Sequence, residues 1–412
     1  MPRSNPWLFP PVPPQNRGSR GKASRTILAG CGRVRVFRRR FSDSQGGLST
    51  PVDDLVDVVH QSVSLLVKEM CCCLGTNAGS FSRAAEALKR VGQLALSDEL
   101  LRDIVESEGR QVVRWQEHQT PTFDAGKCLT TSTSDGSRVS RVYAGLDGFM
   151  LPMVTQAEAD KRYEKARLRR KHLRRKRGQR RRSLVRRSGA DQRYKEYKLA
   201  VFYDQDQQHK LLRVTRKGPE HAGRMLKNMA EDIRLLAAQE IVAVTDGVLW
   251  IDALVKDYLP GDKTTAILDF YHAAEHVHQA RREVYGEGSP EGQSWSGRII
   301  QEMLECRFDD WWQLVVEERA RVRSAGKRKA LDALMGYLLS RREKLEYARF
   351  RAMGLKIGSG PTESGCKSES RRLKGVGMRW APKNAEAMLA LESLHQSNQW
   401  KTYWNSRYKA AA

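Results

Sequence analysis

An α/β fold is predicted, built on a mixed sheet that carries an all-helical insertion and follows a helical N-terminal domain. Three observations in the 412-residue chain predict it. Segments with strand patterning fall at 141–147, 197–203, 211–215, 241–245 and 264–270, and helical stretches at 221–238 and 250–258 separate the last three. The run from 272 to 351 is helical almost throughout, charged and dotted with Trp. Ahead of the sheet, residues 51–109 place apolar side chains at helical spacing, beginning with Val52, Leu55, Val56, Val59 and Val63.

Along the chain, residues 1–25 are rich in Pro, Gly and Ser and are expected to be disordered. Arg33-Val-Arg-Val-Phe-Arg alternates charged and apolar residues and reads as a short strand, opening an N-terminal domain over 26–125. Within it, residues 80–110 hold two amphipathic helices with a turn near Gly92. Ser97 is placed to cap the second, and Asp98 and Glu99 sit in its first turn, where acids favour the helix dipole. That punctuation fits a helix-turn-helix, and it also fits an ordinary helical hairpin. The sheet domain begins with 136–274. Its first strand is expected to end at Asp147-Gly148, its second and third to be antiparallel neighbours, and its fourth to stop at Asp246-Gly247. Three meandering strands followed by parallel crossover units are what a ribonuclease-H-like sheet needs. The helical insertion is then 275–352, and a final helix after Ile357-Gly-Ser-Gly-Pro belongs to a C-terminal region, 353–405.

Composition narrows the partners. Lys and Arg number 73 against 48 Asp and Glu, a net charge of +25, with a pI near 10.0 and a mean hydropathy of −0.61. No apolar run approaches the ~18 residues a bilayer span requires, which excludes an integral membrane protein. The N-terminus lacks the continuous apolar stretch of a secretory signal. Seven cysteines, three of them consecutive at Cys71, Cys72 and Cys73, make no disulfide framework, so a reducing cytoplasm is expected. The positive charge is concentrated: residues 161–198 carry 19 Lys and Arg against 3 acids. Such a run repels itself and is expected to be an exposed helix or disordered arm that engages a phosphate backbone. Arg169, Arg170, Lys171, Arg174, Arg175, Lys176, Arg180 and Arg181 are its candidate DNA contacts, and ten engaged phosphates give a salt slope of roughly −9 on duplex DNA.

Three acids stand where chemistry is plausible. Asp147 closes the first sheet strand, Asp246 closes the fourth, and Glu363 lies in the first turn of the last helix. Strands one and four are adjacent and parallel in a ribonuclease-H-like sheet, so their ends bring the aspartates together, and a helix crossing that edge brings Glu363. Converging carboxylates repel unless cations neutralise them, and Mg²⁺ takes hard oxygen ligands. Singly, each acid also fits a turn or a helix cap. On the last helix Glu363, Lys367, Ser370, Arg371 and Lys374 share one helical face, so Lys367, Arg371 and Lys374 are candidate contacts to a phosphate strand. Asp269-Phe-Tyr-His272 with His276 forms a second polar cluster, open to a zinc reading or to a role in orienting the site. Trp250, Trp295, Trp311 and Trp312 could stack on bases, but core packing is expected for most of them.

Four blocks carry a resemblance: Val244-Thr-Asp-Gly-Val-Leu-Trp-Ile, Ile267-Leu-Asp-Phe-Tyr-His-Ala-Ala-Glu-His-Val, Ile357-Gly-Ser-Gly-Pro-Thr-Glu-Ser-Gly-Cys-Lys and Lys374-Gly-Val-Gly-Met-Arg-Trp. With the closing Asn398-Gln-Trp-Lys-Thr-Tyr-Trp, they resemble the ISKra4 family of bacterial insertion-sequence transposases, in order from about residue 26 to 405. That family is similar to other DDE transposases with a ribonuclease-H-like fold and a helical insertion. The resemblance implies that Asp147, Asp246 and Glu363 are the metal-binding catalytic triad, that Asp269 and His272 match a D-x2-H signature, and that 80–110 is a helix-turn-helix. It implies an enzyme that binds the terminal inverted repeats of its mobile element and performs Mg²⁺-dependent end cleavage and strand transfer, with Mn²⁺ able to substitute. In that scheme Asp147 bridges two ions, Asp246 holds one and Glu363 the other. Zinc is not expected, because Arg40-Phe-Ser-Asp-Ser-Gln-Gly-Gly lacks the cysteine pair that family members often carry there. Partners are double-stranded DNA, both inverted repeats and target, and a second copy or more on that DNA, in a bacterial, nucleoid-associated setting without membrane. The competing readings are a catalytically silent or domesticated DNA-binding protein, and a structure-specific nuclease on the same fold.

Overall fold

The computed structural model describes residues 18–42, 48–55, 58, 61–118, 122–132, 136–172 and 184–411. The chain divides into two compact units, residues 1–115 with 399–412, and residues 116–398.

The first unit opens with an antiparallel ribbon of β1 (Gly18–Ala29) and β2 (Gly32–Ser42), to which the short β3 (Leu48–Ser49) adds. Residues 18–25 are therefore strand, where disorder was expected; basic and apolar residues alternate across the pair, and Asp53 receives both Arg25 (2.7 Å) and Arg38 (2.5 Å). Residues 1–17 lie outside the described residues. Helix α1 (Pro51–Leu55) is only five residues long. The helical spacing expected from Val52 to Val63 does not persist, because Val63 is extended and bridges Leu28 in parallel; Val56 and Val59 lie outside the described residues. Helices α2 (Leu65–Asn77), α3 (Phe81–Val91) and α4 (Asp98–Gln116) follow. Ser97 caps α4 through the Leu100 N–H (3.2 Å), as expected from the sequence, and Ser80 caps α3 through the Arg83 N–H (3.1 Å). Gly75 lets α2 meet α4: a Cβ there would lie 2.7 Å from the Val105 side chain. The C-terminal helix Trp400–Ala411 joins this unit, so the region expected over 353–405 divides at residue 399. There the buried Glu108 carboxylate accepts from Tyr403 (2.5 Å) and from the Arg407 guanidinium (2.8 Å).

The second unit is a mixed α/β fold. Its strands are β4 (Leu129–Thr131), β5 (Arg138–Pro152), β6 (Tyr194–Asp204), β7 (Lys210–Thr215), β8 (Glu240–Thr245) and β9 (Thr264–Leu268). The order across the sheet is β7-β6-β5-β8-β9, with β4 pairing the start of β5. β6 runs antiparallel to β5 and β7, whereas β8 and β9 run parallel to β5. Helix α5 (Gln156–His172) follows β5; α6 (Pro219–Asp232) and α7 (Leu249–Tyr258) flank β8 in sequence. One face packs Val142, Ala144, Phe202 and Ala243 against Leu226, Met229 and Ile251 of α6 and α7. The expected strand end at Asp147-Gly148 is corrected: β5 continues to Pro152, because β6 pairs it along its length from Val142↔Asp204 to Pro152↔Tyr194.

After β9 come α8 (Phe270–Tyr285), α9 (Pro290–Glu305), α10 (Phe308–Arg321), α11 (Ala325–Leu339) and α12 (Tyr347–Ala352). Phe270 and Tyr271 thus start a helix rather than end a strand. Trp311 is fully buried, in keeping with the expected core role. Helix α13 (Gly360–Arg371) follows, but it is not the last, since α14 (Pro382–Gln396) also packs on the sheet before the C-terminal helix. Among the described residues no helix is long and apolar enough to cross a membrane, and all seven cysteines are free thiols.

Candidate active site

Two glycines let α13 lie close on the sheet. At Gly145 a Cβ would collide with the Thr362 hydroxyl, and at Gly365 it would lie 2.9 Å from Leu212 Cδ1. Only bare backbone at these points allows the helix to cross β5 and β6 and carry Glu363 and Cys366 toward Asp147. The register of β5 on β8 is Gly145↔Val244, so two further residues bring Asp246, just past the strand, level with Asp147. Gly247 then turns the chain at φ +75°, and the Asp246 carboxylate accepts the Val248 N–H at 3.1 Å.

Asp147 is partly buried, and its carboxyl accepts the Gly148 N–H (2.6 Å) and the Cys366 thiol (3.2 Å). Burial pushes this carboxyl above its ordinary range. The two hydrogen bonds oppose that rise, and the charges of Asp246 and Glu363 add to it. Asp147 on β5 thus feels the charges of an acid at the end of β8 and of one at the start of α13. Glu363 is half exposed and pairs with Lys367 at 3.5 Å. Burial, then the Asp147 charge, push the Cys366 thiol far above its usual range, in keeping with its role as the donor to the Asp147 carboxylate. The available donors are hard oxygens, which suit Mg²⁺ or Mn²⁺. The three carboxylates do not meet in one tight cage: among the described residues the group of three whose ligand atoms all lie within 4.8 Å is a different one, Cys128, Asp204 and His209. A pair of ions shared through Asp147 does not require Asp246 and Glu363 to meet, whereas a single ion does.

Asp269 is 2% exposed and ties two elements together. One oxygen caps α8 by accepting the His272 N–H (2.8 Å), and the other accepts the Ser359 N–H at the mouth of α13. The Phe270 N–H donates to the Ile357 carbonyl (3.0 Å) beside it. Asp269 therefore holds the turn from which α13 starts. His272 is exposed and meets His276 edge-on (5.2 Å), while His276 stacks on Tyr337 at 3.7 Å. No third ligand gathers around this pair among the described residues, so the zinc reading of His272 and His276 is not carried further. The Arg341 guanidinium, which lies over Tyr337, donates to the Gly247 carbonyl (2.8 Å) and so braces the Asp246 turn.

The basic candidates fall in three places. Arg169 and Arg170 lie near the end of α5, and Lys171 lies on its last turn; Arg174, Arg175, Lys176, Arg180 and Arg181 lie outside the described residues. Lys367 and Arg371 are exposed on α13. The expected five-residue face is corrected at two positions: Ser370 is buried, and Lys374 falls past the helix end, exposed beside the Phe149 ring. Sequence reasoning missed Gly145, Cys366 and Arg341. Cys366 carried a signal, since it stands three residues after Glu363 and so shares its side of the helix.

No family model matches the chain. A UPF0236 protein in the vanSb 3′ region of Streptococcus gallolyticus is 32% identical over 78 residues, 19% of this chain and 17% of that protein. The chain thus matches well under two thirds of that relative's length. Among solved structures, the Drosophila P element transposase strand transfer complex aligns over 84% of this chain and 81% of its own, at 13% identity and a TM-score of 0.27. At that level the two do not establish a shared fold, and the fold of this chain is defined by its own strand order and pairing.

Proposed function

We propose that the second unit is a metal-dependent phosphodiester-transferring domain of the ribonuclease-H-like class. The supporting strand order is that of three antiparallel strands followed by two parallel ones, with the first strand at the centre. Within that class we read the chain as a DDE transposase of a bacterial insertion sequence, of the ISKra4 kind. The observation that carries this reading is that Asp246, level with Asp147 across the sheet, and Glu363, in the first turn of α13, both bring their charge to bear on the Asp147 carboxyl.

Asp147 would hold both Mg²⁺ ions, with Asp246 holding one and Glu363 the other. The ions, when bound, stabilise the attacking and leaving oxygens of an in-line displacement at phosphorus. The chain's own residues do the rest. The Gly148 N–H and the Cys366 thiol fix the Asp147 carboxylate, Arg341 fixes the turn of Asp246, and Asp269 fixes the start of the Glu363 helix. Lys367, Arg371 and Lys374 receive the DNA backbone, the basic segment from residue 161 up to the start of β6 adds phosphate contacts, and α3 with α4 read the inverted repeat as a helix-turn-helix. Two element ends call for at least two copies on the DNA, in the bacterial cytoplasm.

The test is an end-cleavage and strand-transfer assay on a supercoiled plasmid carrying both native ends, in Mg²⁺, Mn²⁺ and EDTA. Cuts at the ends that need the metal, and that vanish in Glu363→Gln and Asp147→Asn while DNA binding persists, are expected. Tight binding with no cutting by the unmodified protein in either metal would leave a silent DNA-binding protein instead.

A further inference from the structure

At the other end of the same sheet lies a group that the proposed chemistry does not use. Cys128, Asp204 and His209 present a thiol sulfur, a carboxylate oxygen and a ring nitrogen that all lie within 4.8 Å of one another. Cys128 and Asp204 are buried, and the His209 ring is about half exposed. The group is remote from the three acids: β6 pairs Asp204 with Val142, five residues along β5 from Asp147, which is about 17 Å of strand.

The backbone at all three residues is already fixed. Cys128 follows a 3₁₀ turn, Ala125–Lys127. Its N–H donates to the Ala125 carbonyl (3.2 Å), and its own carbonyl accepts the Arg141 N–H (2.9 Å). Asp204 and His209 flank the β6–β7 hairpin, where the Asp204 N–H donates to the His209 carbonyl (3.2 Å). The turn between them needs Gln207 at φ +57°. In the side chains, Asp204 accepts the His209 N–H at 3.1 Å, and its other oxygen lies 2.8 Å from His209 Nδ1. The nearby Asp124 carboxylate is occupied, by the Gly126 N–H (3.0 Å) and by Arg234 (2.9 Å), so it adds no fourth ligand. The thiol has only a long 3.6 Å approach to the Asp124 carbonyl.

A sulfur, an imidazole nitrogen and one carboxylate form a mixed donor set of the borderline-soft type. Zn²⁺ takes such sets tetrahedrally, with three protein ligands and one water, whereas Mg²⁺ selects oxygen alone. The geometry points to a Zn²⁺-binding site at Cys128, Asp204 and His209, open on the side of His209, that clips the β6–β7 hairpin to the segment preceding β4. On binding, the Cys128 thiol loses its proton to solvent and the sulfur bonds the metal, while His209 Nδ1 gives up the N–H it holds toward Asp204, the ring keeping its one proton on Nε2, and turns its lone pair to the metal.

The experiment uses the full chain, stripped with a chelator, without DNA. Zn²⁺ is titrated against a chromogenic competitor, and Co²⁺ is used as an optical probe. One tight site is expected, with a thiolate-to-cobalt charge-transfer band that Zn²⁺ bleaches and Mg²⁺ does not. Cys128→Ser is expected to abolish the band, and His209→Ala to weaken binding by roughly a hundredfold or more. His209 is exposed enough that its loss leaves the fold intact, so that variant keeps the test valid if Cys128→Ser does not fold. A Cys366→Ser control is expected to retain the band. Absence of the band, a band lost only with Cys366→Ser, or Zn²⁺ affinity unchanged in His209→Ala would each overturn the assignment.

Discussion

Asp269 shows what a single carboxylate can decide. It accepts two backbone N–H groups from different elements, and an Asn side chain has one oxygen for those two donors. Asp269→Asn is expected to cost about 1.5–3 kcal/mol in urea unfolding and to lower end cleavage by displacing α13. Full activity at unchanged stability would remove its positioning role. Glu369 carries a pH signature. It is fully buried on α13, and its one accepted hydrogen bond is from the Ser393 hydroxyl (3.0 Å). Burial, then the neighbouring Glu392 charge, raise its carboxyl well above the usual range. A carboxyl raised in the folded state contributes fully below its unfolded pKa and loses that contribution as pH rises toward the folded value. Glu369→Gln should therefore match the parent near pH 4 and exceed its stability by about 1–2 kcal/mol at pH 8. A difference that does not grow with pH contradicts the buried neutral acid. Neither role was legible in the sequence, where Asp269 was one member of a short motif and Glu369 one more acid on an amphipathic helix.

Helix α13 reaches its place because Gly145 and Gly365 carry no side chain. Gly145→Ala forces a methyl onto Thr362, with an expected loss of about 1–3 kcal/mol and of metal-dependent cleavage. Retained cleavage would mean that the helix does not need this close approach. The C-terminal helix is held in its unit by Glu108, so Glu108→Gln is expected to cost roughly 3 kcal/mol in thermal or urea unfolding, since it removes the buried charge that accepts from Tyr403 and Arg407. An unchanged midpoint would show that packing alone holds the helix. Element types were largely readable in advance: the strand segments and the cap at Ser97 follow from local periodicity and hydrogen-bonding chemistry. Strand length was not. Asp147-Gly148 reads as a turn dipeptide, yet β5 runs through it because the long β6 offers a partner for every residue beyond.

Over the whole molecule, the net charge of +25 and its concentration at 161–198 predict that the proposed DNA affinity falls steeply with salt. If the arm contributes most of ten phosphate contacts, log Kd against log salt should have a slope of magnitude roughly 9, and removing 173–183 should lower that magnitude by several units. An unaltered slope would place the DNA contacts elsewhere, with the exposed Lys367 and Arg371 as the next candidates.

The sequence by itself determined the α/β class, the helical block after the fifth sheet strand, the strongly basic charge and the three acids worth watching. These follow from short-range rules, namely side-chain periodicity, turn chemistry and charge density, and each is complete within a few tens of residues. Only the tertiary structure decided that Asp147 lies within a strand, that Gly145 admits α13 against it, and that the C-terminal helix returns to the N-terminal unit. It alone brought Cys128 to Asp204 and His209. Those outcomes depend on register and close packing between residues far apart in the chain, which no local pattern encodes.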